Sequence, residues 1–390
     1  MVKARIYVLV LAGLLCSIVS ADDIRDGFRH EDWDRNYILH IPPSYGETLD
    51  STALVIALHG GGKNADWMVD VSRLNEKSDL EGFLVCYPNG TQSGQEDQNN
   101  WNAGPNFSVY ANDVSFMDAL IDTLAAGYRI DTLRIFVTGL SAGAMMSHRL
   151  GCELSDKIAA IAPVAGSIMI PDWNDCQPGR LISIINFHAR NDETAPYGGA
   201  SWIASADSTM RFWANRLECD LGPDTSYNDS GALRQLWSRT DDSCEILFWT
   251  TEDGGHSWPG GDLWDPTGKP PTKAISANDE MWGFFLTHPI PEPEEPEPGI
   301  NEYDPSVVET CLNPVGCKEY TTLRFYLQKG GRVRIELFDA AGCKVLVREA
   351  IVESGERTLE LDTRDLNSGV YFCRIQTPTF TRTSPLRLIR

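Results

Sequence analysis

Gly139-Leu140-Ser141-Ala142-Gly143 lies between an apolar run, "RIFVTG", and a helical pattern, "AGAMMSHRLGCEL". A serine hydroxyl becomes a useful nucleophile only when a neighbouring base takes its proton, and G-x-S-x-G between a strand and a helix is the form of turn that presents such a hydroxyl. Glycine at both flanks lets the strand and helix backbones approach closely. Ser141 is therefore the candidate nucleophile. It requires a base, a carboxylate that orients the base, and backbone donors for the oxyanion.

The chain supplies these groups in the order Ser, Asp, His. "LISIINFH" reads as a strand that runs into "ARNDETAPYGG", placing Asp192 just past a strand end, with Glu193 beside it as a rival. "EILFWTT" is the next such strand and is followed by "EDGGHSWPGG", which places His256 in a Gly-rich loop. Of the other histidines, His59 belongs to a glycine loop, His148 lies along the elbow helix and His188 precedes the acid, so His256 is the candidate base. "ALVIALHGGGKN" puts Gly60-Gly61-Gly62 after the first strong strand, so the amides of Gly61 and Ala142 are the expected oxyanion donors. This chemistry calls for no metal and no organic cofactor, and no Cys or Cys/His group has zinc spacing.

Strand-like runs ("ALVIALHG", "GFLVCYPNG", "RIFVTG", "AAIAPVAG", "LISIINFH", "EILFWTT") alternate with helical ones ("NDVSFMDALIDTLAAGY", "STMRFWANRLEC"). Such alternation predicts an α/β fold, a mostly parallel sheet with helices on both faces, over residues 22–288. "HPIPEPEEPEPG" then marks a stiff Pro/Glu linker at 289–299. Short alternating strands such as "TTLRFYL", "RVRIELFD" and "GVYFCRIQ" predict a small β-sandwich over 300–390.

The first 21 residues carry Lys3 and Arg5, an apolar run and Val19-Ser20-Ala21, the pattern of a signal peptide cut after Ala21. Export predicts disulfides among the nine cysteines that follow, with Cys86, inside "GFLVCYP", as the buried free thiol. No later segment is apolar enough to span a membrane. The net charge of −22 is concentrated before residue 289 and disfavours nucleic acid and anionic membranes as partners. All 11 tryptophans also precede residue 289, and Trp101 and Trp258 are the candidates for stacking on a substrate.

The segments "DRNYILHIPPSY", "LHGGGKNA", "YPNGT", "WNAG", "GLSAGAMMSHRLGCEL", "IAPVAG", "HARNDETAPYGG" and "GGHSWPGG" resemble the secreted polyhydroxybutyrate depolymerase family, which includes feruloyl and acetyl-xylan esterases. The likeness spans residues 27–288 and implies an α/β-hydrolase fold with Ser141 as nucleophile, Asp192 as acid and His256 as base. It also implies disulfides Cys219–Cys244 and Cys152–Cys176. "HARND" departs from the family's His-Gly-Thr-x-Asp pattern at Ala189 and Arg190. Residues from "NPVGC" to the end, with "IELFDAAG" and "LNSGVYFCRI", resemble the C-terminal sorting domain of the type nine (Por) secretion system. That likeness implies bacterial secretion machinery as a partner and a secreted or surface location; a spacer or binding module is the alternative. The expected activity is hydrolysis of an ester substrate, feruloyl or acetyl esters of wall polysaccharide, with a polyester such as polyhydroxybutyrate as the alternative. A catalytically silent binding or adhesion protein and a secreted peptidase are the competing readings.

Overall fold

The computed structural model describes residues 22–47, 50–92, 98–104, 109–169, 176–228, 230–263, 265–292, 320–327, 330–339, 343–364, 366, 369–377 and 381–388. The expected signal segment, residues 293–299 of the expected linker, Cys311 and Cys317 lie outside these residues. The chain divides into two compact units, Met1–Pro293 and Glu294–Arg390.

In the first unit the strands are β1 (Asp22–His30), β2 (Trp33–Ile41), β3 (Thr52–Leu58), β4 (Leu84–Pro88), the short β5 (Thr91–Gln92) and β6 (Asn99–Asn100), β7 (Ile130–Leu140), β8 (Ala160–Val164), β9 (Ser183–Ala189), β10 (Leu221–Tyr227), β11 (Leu233–Ser238) and β12 (Glu245–Thr251). The helices are α1 (Ala65–Ser72), α2 (Leu74–Glu81), α3 (Asp113–Gly127), α4 (Ala142–Glu153), α5 (Ala206–Arg216) and α6 (Ala277–Thr287). Ten strands form one sheet in the order β1-β2-β4-β3-β7-β8-β9-β12-β11-β10. The six central strands, β4 through β12, run parallel, and antiparallel pairs close both edges.

Mainly apolar sequence explains the centre: "LVCYP", "AIAPV" and "SIINFHA", the last with Ser183, Asn186 and His188 buried as well, are buried along their whole length, as strands covered on both faces must be. Leu54, Ile56, Val137 and Phe248 pack with α3, α4 and α5, whereas Val55, Phe136, Phe187 and Trp249 face α1, α2 and α6. Asn64, Asn112, Ser205 and Ser276 cap α1, α3, α5 and α6 by accepting a backbone N–H three residues on, which fixes where each helix starts.

A disulfide joins Cys152 to Cys176. The other implied pairing is corrected: Cys219 and Cys244 are separate thiols in hydrogen-bond contact, and that contact holds the Cys219 pKa below the ordinary thiol value. Cys86 is a buried free thiol whose ionisation is suppressed by desolvation.

The second unit holds β13 (Tyr320–Leu327), β14 (Gly331–Phe338), β15 (Lys344–Val352), β16 (Gly355–Asp362), β17 (Gly369–Gln376) and β18 (Thr381–Leu388). An antiparallel sheet in the order β15-β14-β17-β18 and a β13-β16 pair make the two layers. Val333, Ile335 and Leu337 alternate inward to meet Leu361, Tyr371 and Ile375 between them.

Candidate functional site

The residues singled out by type and spacing all fall at the carboxyl ends of parallel strands. Gly60-Gly61-Gly62 follows β3, Ser141 follows β7, Asp192 follows β9 and His256 follows β12. In an open α/β sheet this is the edge where loops converge into a crevice.

Ser141 connects β7 to α4 with φ 59° and ψ −116°. A non-glycine residue at positive φ carries strain of about 1–3 kcal/mol that the surrounding structure must hold. The hold is on the main chain: the Ser141 N–H donates to the Val164 carbonyl at 3.0 Å, and its carbonyl accepts from the Met145 N–H at 3.0 Å. Both flanking glycines are required by contact. A Cβ on Gly139 would sit 2.5 Å from the Gly143 carbonyl carbon, and one on Gly143 would sit 2.2 Å from the Leu58 carbonyl oxygen. The side chain of Ser141 stays partly open to solvent between buried Leu140 and Ala142.

His256 Nδ1 donates to Asp192 Oδ2 at 2.8 Å. A carboxylate only accepts, so Nδ1 bears a proton, and in the neutral form of the ring Nε2 carries the lone pair. The other oxygen, Asp192 Oδ1, accepts the N–H groups of Thr194 and Ala195, each at 2.9 Å. Glu193 points elsewhere, to Lys269 Nζ at 2.8 Å, and its side chain is largely exposed. Arg190, the departure in "HARND", pairs with Glu252 at 3.0 Å and lies over the Tyr197 ring.

Sequence reasoning missed the group that locks the histidine loop. Asp265 Oδ2 accepts the main-chain N–H of His256 at 3.0 Å, while its Oδ1 accepts the N–H groups of Thr267 and Lys269. Burial opposes the Asp265 carboxylate, but these N–H donors outweigh it and hold its pKa below the usual value. Lys269 Nζ then reaches back to the Asn191 carbonyl at 2.7 Å, and Asn191 Oδ1 accepts the Gly255 N–H at 2.8 Å. The loops bearing Asp192 and His256 are thus tied to each other. A "D-x-T-x-K" turn was visible in "DPTGK", but nothing in the sequence connects it to His256.

On the opposite side, Gly61 adjoins Ala142: a Cβ on Gly61 would lie 3.6 Å from the Ala142 Cβ. Ala142 is the first residue of α4, and its N–H has no acceptor within the helix. The loop before it is set by His59. Its Nδ1 donates to the Gly60 carbonyl at 2.8 Å, and its Nε2 accepts the Gly90 N–H at 3.0 Å. Because a trans peptide points its C=O and N–H in opposite directions, fixing the Gly60 carbonyl also fixes the Gly61 N–H.

Trp101 and Trp258 were expected to offer open faces; burial corrects both. The Trp101 ring is fully buried, 4.7 Å from the His59 ring, and its Nε1–H donates to the His59 carbonyl at 2.8 Å. Trp258 is 1% exposed and donates from Nε1 to Asn278 Oδ1 at 2.9 Å, fastening the histidine loop to α6. Trp101→Phe removes the bond to the His59 carbonyl while keeping the ring. With the Gly61 N–H as the oxyanion donor that the sequence pattern predicts, it is expected to lower kcat about 10-fold with little change in KM, because a displaced donor would be felt in the transition state. An unchanged kcat in a steady-state assay would remove Trp101 from this chain of support.

A buried ion pair stands behind the same loops. Arg35 Nη2 donates to Asp113 Oδ1 at 2.7 Å and to the Asn89 carbonyl at 3.1 Å, and Asp113 Oδ2 accepts the Asn102 N–H at 2.7 Å. The partners are 78 positions apart, which is why no sequence pattern exposes them.

The remaining histidines have structural partners: His30 with Ser115, His40 with Asp23 and Asp79, His148 with Trp213, His188 with the Ala195 carbonyl and His288 with the Phe284 carbonyl. Desolvation lowers the pKa of His59 to about 4 and of His148 to about 3, and it also lowers that of His188. These groups are buried neutral and take up protons on unfolding, so stability is full above the unfolded value of about 6.5 and falls as pH drops through the folded values. The melting temperature is expected to fall steeply from pH 6.5 towards pH 4, and His148→Asn to flatten that slope. A melting curve indifferent to pH in this window would contradict the neutral burial of these rings.

Among the described residues no group of His, Cys, Asp and Glu is placed to hold a metal, and no helix is long and apolar enough to cross a membrane.

Residues 35–175 match the esterase PHB depolymerase family, and residues 313–386 match the secretion system C-terminal sorting domain. Feruloyl esterase B of Piromyces equi is 29% identical over 47% of this chain and 36% of its own length. Feruloyl esterase C of Emericella nidulans is 25% identical over 65% of this chain and 84% of its own. Poly(3-hydroxyalkanoate) depolymerase C of Paucimonas lemoignei is 32% identical over 53% of this chain and 55% of its own. This chain therefore spans about a third of the Piromyces enzyme and about half of the Paucimonas one.

Proposed function

We propose that this chain, a carboxylic ester hydrolase whose residues 35–175 match the esterase PHB depolymerase family, acts as a secreted serine esterase through Ser141, His256 and Asp192. The single observation that carries the assignment is the 2.8 Å bond from His256 Nδ1 to the buried Asp192 carboxylate, made at the same sheet edge as the strained Ser141 turn. His256 Nε2 takes the Ser141 proton as Oγ attacks the ester carbonyl carbon. The tetrahedral oxyanion lies between the N–H groups of Gly61 and Ala142. His256 returns the proton to the departing alcohol; a water that the same nitrogen deprotonates then attacks the acyl-enzyme carbonyl, and His256 gives that proton to the departing Ser141 Oγ as the acid is released. Asp192 fixes the tautomer and stabilises the imidazolium.

The substrate reading is a feruloyl or acetyl ester of plant-wall polysaccharide, supported by the feruloyl esterases among the relatives. A polyester substrate is the second reading, favoured by the depolymerase relative. The sorting-domain match at 313–386 supports export by bacterial secretion machinery. Hydrolysis of p-nitrophenyl acetate, methyl ferulate, acetylated xylan and a polyhydroxybutyrate suspension, each beside Ser141→Ala, tests the reading. Activity on a wall ester that is lost in the variant is the expected result. Activity confined to polyhydroxybutyrate would select the polyester, and no activity on any ester would favour a binding protein.

A further inference from the structure

The short β5–β6 ribbon lies beside the glycine loop, and we propose that Asn100, at its end, is a third oxyanion donor, its side-chain Nδ2–H joining the N–H groups of Gly61 and Ala142. The inference rests on Ser141 being the nucleophile.

Successive residues of the ribbon hold successive residues of the loop. The Asn99 carbonyl accepts the Gly62 N–H at 2.8 Å, and Asn99 pairs with Lys63 in antiparallel register. Trp101, next after β6, reaches the His59 carbonyl through Nε1 at 2.8 Å. Asn100 stands between these two anchors and faces Gly61. A Cβ on Gly61 would lie 3.5 Å from both Nδ2 and Oδ1 of Asn100 and 3.6 Å from the Ala142 Cβ. The Asn100 main chain is pressed against Gly90, where a Cβ would lie 2.2 Å from its carbonyl oxygen. Asn100 is half-buried and Gly61 is exposed, so a substrate carbonyl has access to both.

The partners of the carboxamide fix which of its atoms can serve. Oδ1 accepts the Trp101 N–H at 2.9 Å, a bond that only the oxygen of a carboxamide can accept, so Nδ2 carries the hydrogens that remain to be used. Among the described residues no acceptor meets them. The nitrogen and Cβ of one residue are about 2.5 Å apart, so Nδ2 lies at most about 6 Å from the Gly61 nitrogen. One oxygen accepting from both at about 3 Å bridges that span.

As Ser141 Oγ bonds to the ester carbonyl carbon, its proton passes to His256 Nε2 and the π pair of the C=O moves onto oxygen. A third donor that meets this oxygen in its tetrahedral position stabilises the transition state over the bound ester.

The test compares Asn100→Asp and Asn100→Leu with the wild-type protein in hydrolysis of p-nitrophenyl acetate and in inhibition by phenethyl trifluoromethyl ketone, whose carbonyl carbon adds Ser141 Oγ and leaves an oxyanion in the same place. Aspartate still accepts the Trp101 N–H but, ionised, donates nothing. Both variants are therefore expected to lose about 100-fold in kcat with KM changed less than about threefold, and the inhibition constant of the ketone is expected to rise by a similar factor. A residue that only shapes the ribbon would leave Asn100→Asp active. Thermal melting checks the folding of each variant, and either one alone decides. A folded variant with kcat within about threefold of wild type, or with an unchanged inhibition constant, would overturn the third donor while Ser141-dependent hydrolysis stands. Hydrolysis that survives Ser141→Ala, or no hydrolysis of any ester, would instead overturn the reading on which it rests.

Discussion

Ser141→Ala is expected to lower kcat on any ester the protein turns over by about four to six orders of magnitude, with the protein still folded. The loss is large because the covalent route disappears: without Oγ there is no acyl-enzyme, and only the oxyanion donors and substrate binding remain to assist attack by water. The fold should persist because the bonds that hold this turn are main-chain bonds, from the Ser141 N–H to Val164 and from Met145 to the Ser141 carbonyl. Alanine keeps both and brings no larger Cβ clash. Steady-state assay with circular dichroism on the same sample checks the result. A folded variant retaining a tenth of the wild-type rate would place the nucleophile elsewhere.

Asp192→Asn should cost about 10⁴-fold in kcat while leaving KM nearly unchanged. The amide oxygen can still accept the Thr194 and Ala195 N–H groups, so the loop keeps its shape. The amide nitrogen, however, now faces His256 Nδ1, and two donors cannot share that bond. The ring escapes by moving its proton to Nε2, the atom that must accept the serine proton. Glu193→Gln provides the contrast. Its side chain is exposed and paired with Lys269, so less than about a threefold change is expected. Equal losses in the two variants would show that the loop, rather than the carboxylate on His256, sets the rate.

How far this architecture could be read from sequence depended on whether local pattern or distant packing decided each feature. The parallel centre was legible because strands covered on both faces are short, mainly apolar runs, as "ALVIAL" and, with its polar Asn186 and His188, "SIINFHA" are. The antiparallel edge strands were not, since β10 is exposed along its length and carries no apolar signature. The strand–turn–helix context of Ser141 was legible from the local pattern of an apolar run, two glycines and a helical repeat, although the contact that demands Gly143 is with Leu58, distant in sequence. The roles of Trp101 and Trp258 were misjudged because composition does not say which way an indole faces. Both turn inward to hydrogen-bond partners, the His59 carbonyl and Asn278, that are distant in sequence. The Arg35–Asp113 pair stayed hidden for the same reason, its partners being 78 positions apart, whereas Asp265 stands only nine positions from the His256 N–H and was hidden because an aspartate in a turn does not say which backbone donor it will accept.

The most direct test of the central claim is to treat the full-length protein with an organophosphate ester, diethyl p-nitrophenyl phosphate, and locate the adduct by peptide mass mapping. The account predicts one phosphorylated residue, Ser141, formed in step with the loss of esterase activity and nearly abolished in His256→Ala. An adduct on another serine that tracks the loss of activity, or complete inactivation with Ser141 unmodified, would contradict it.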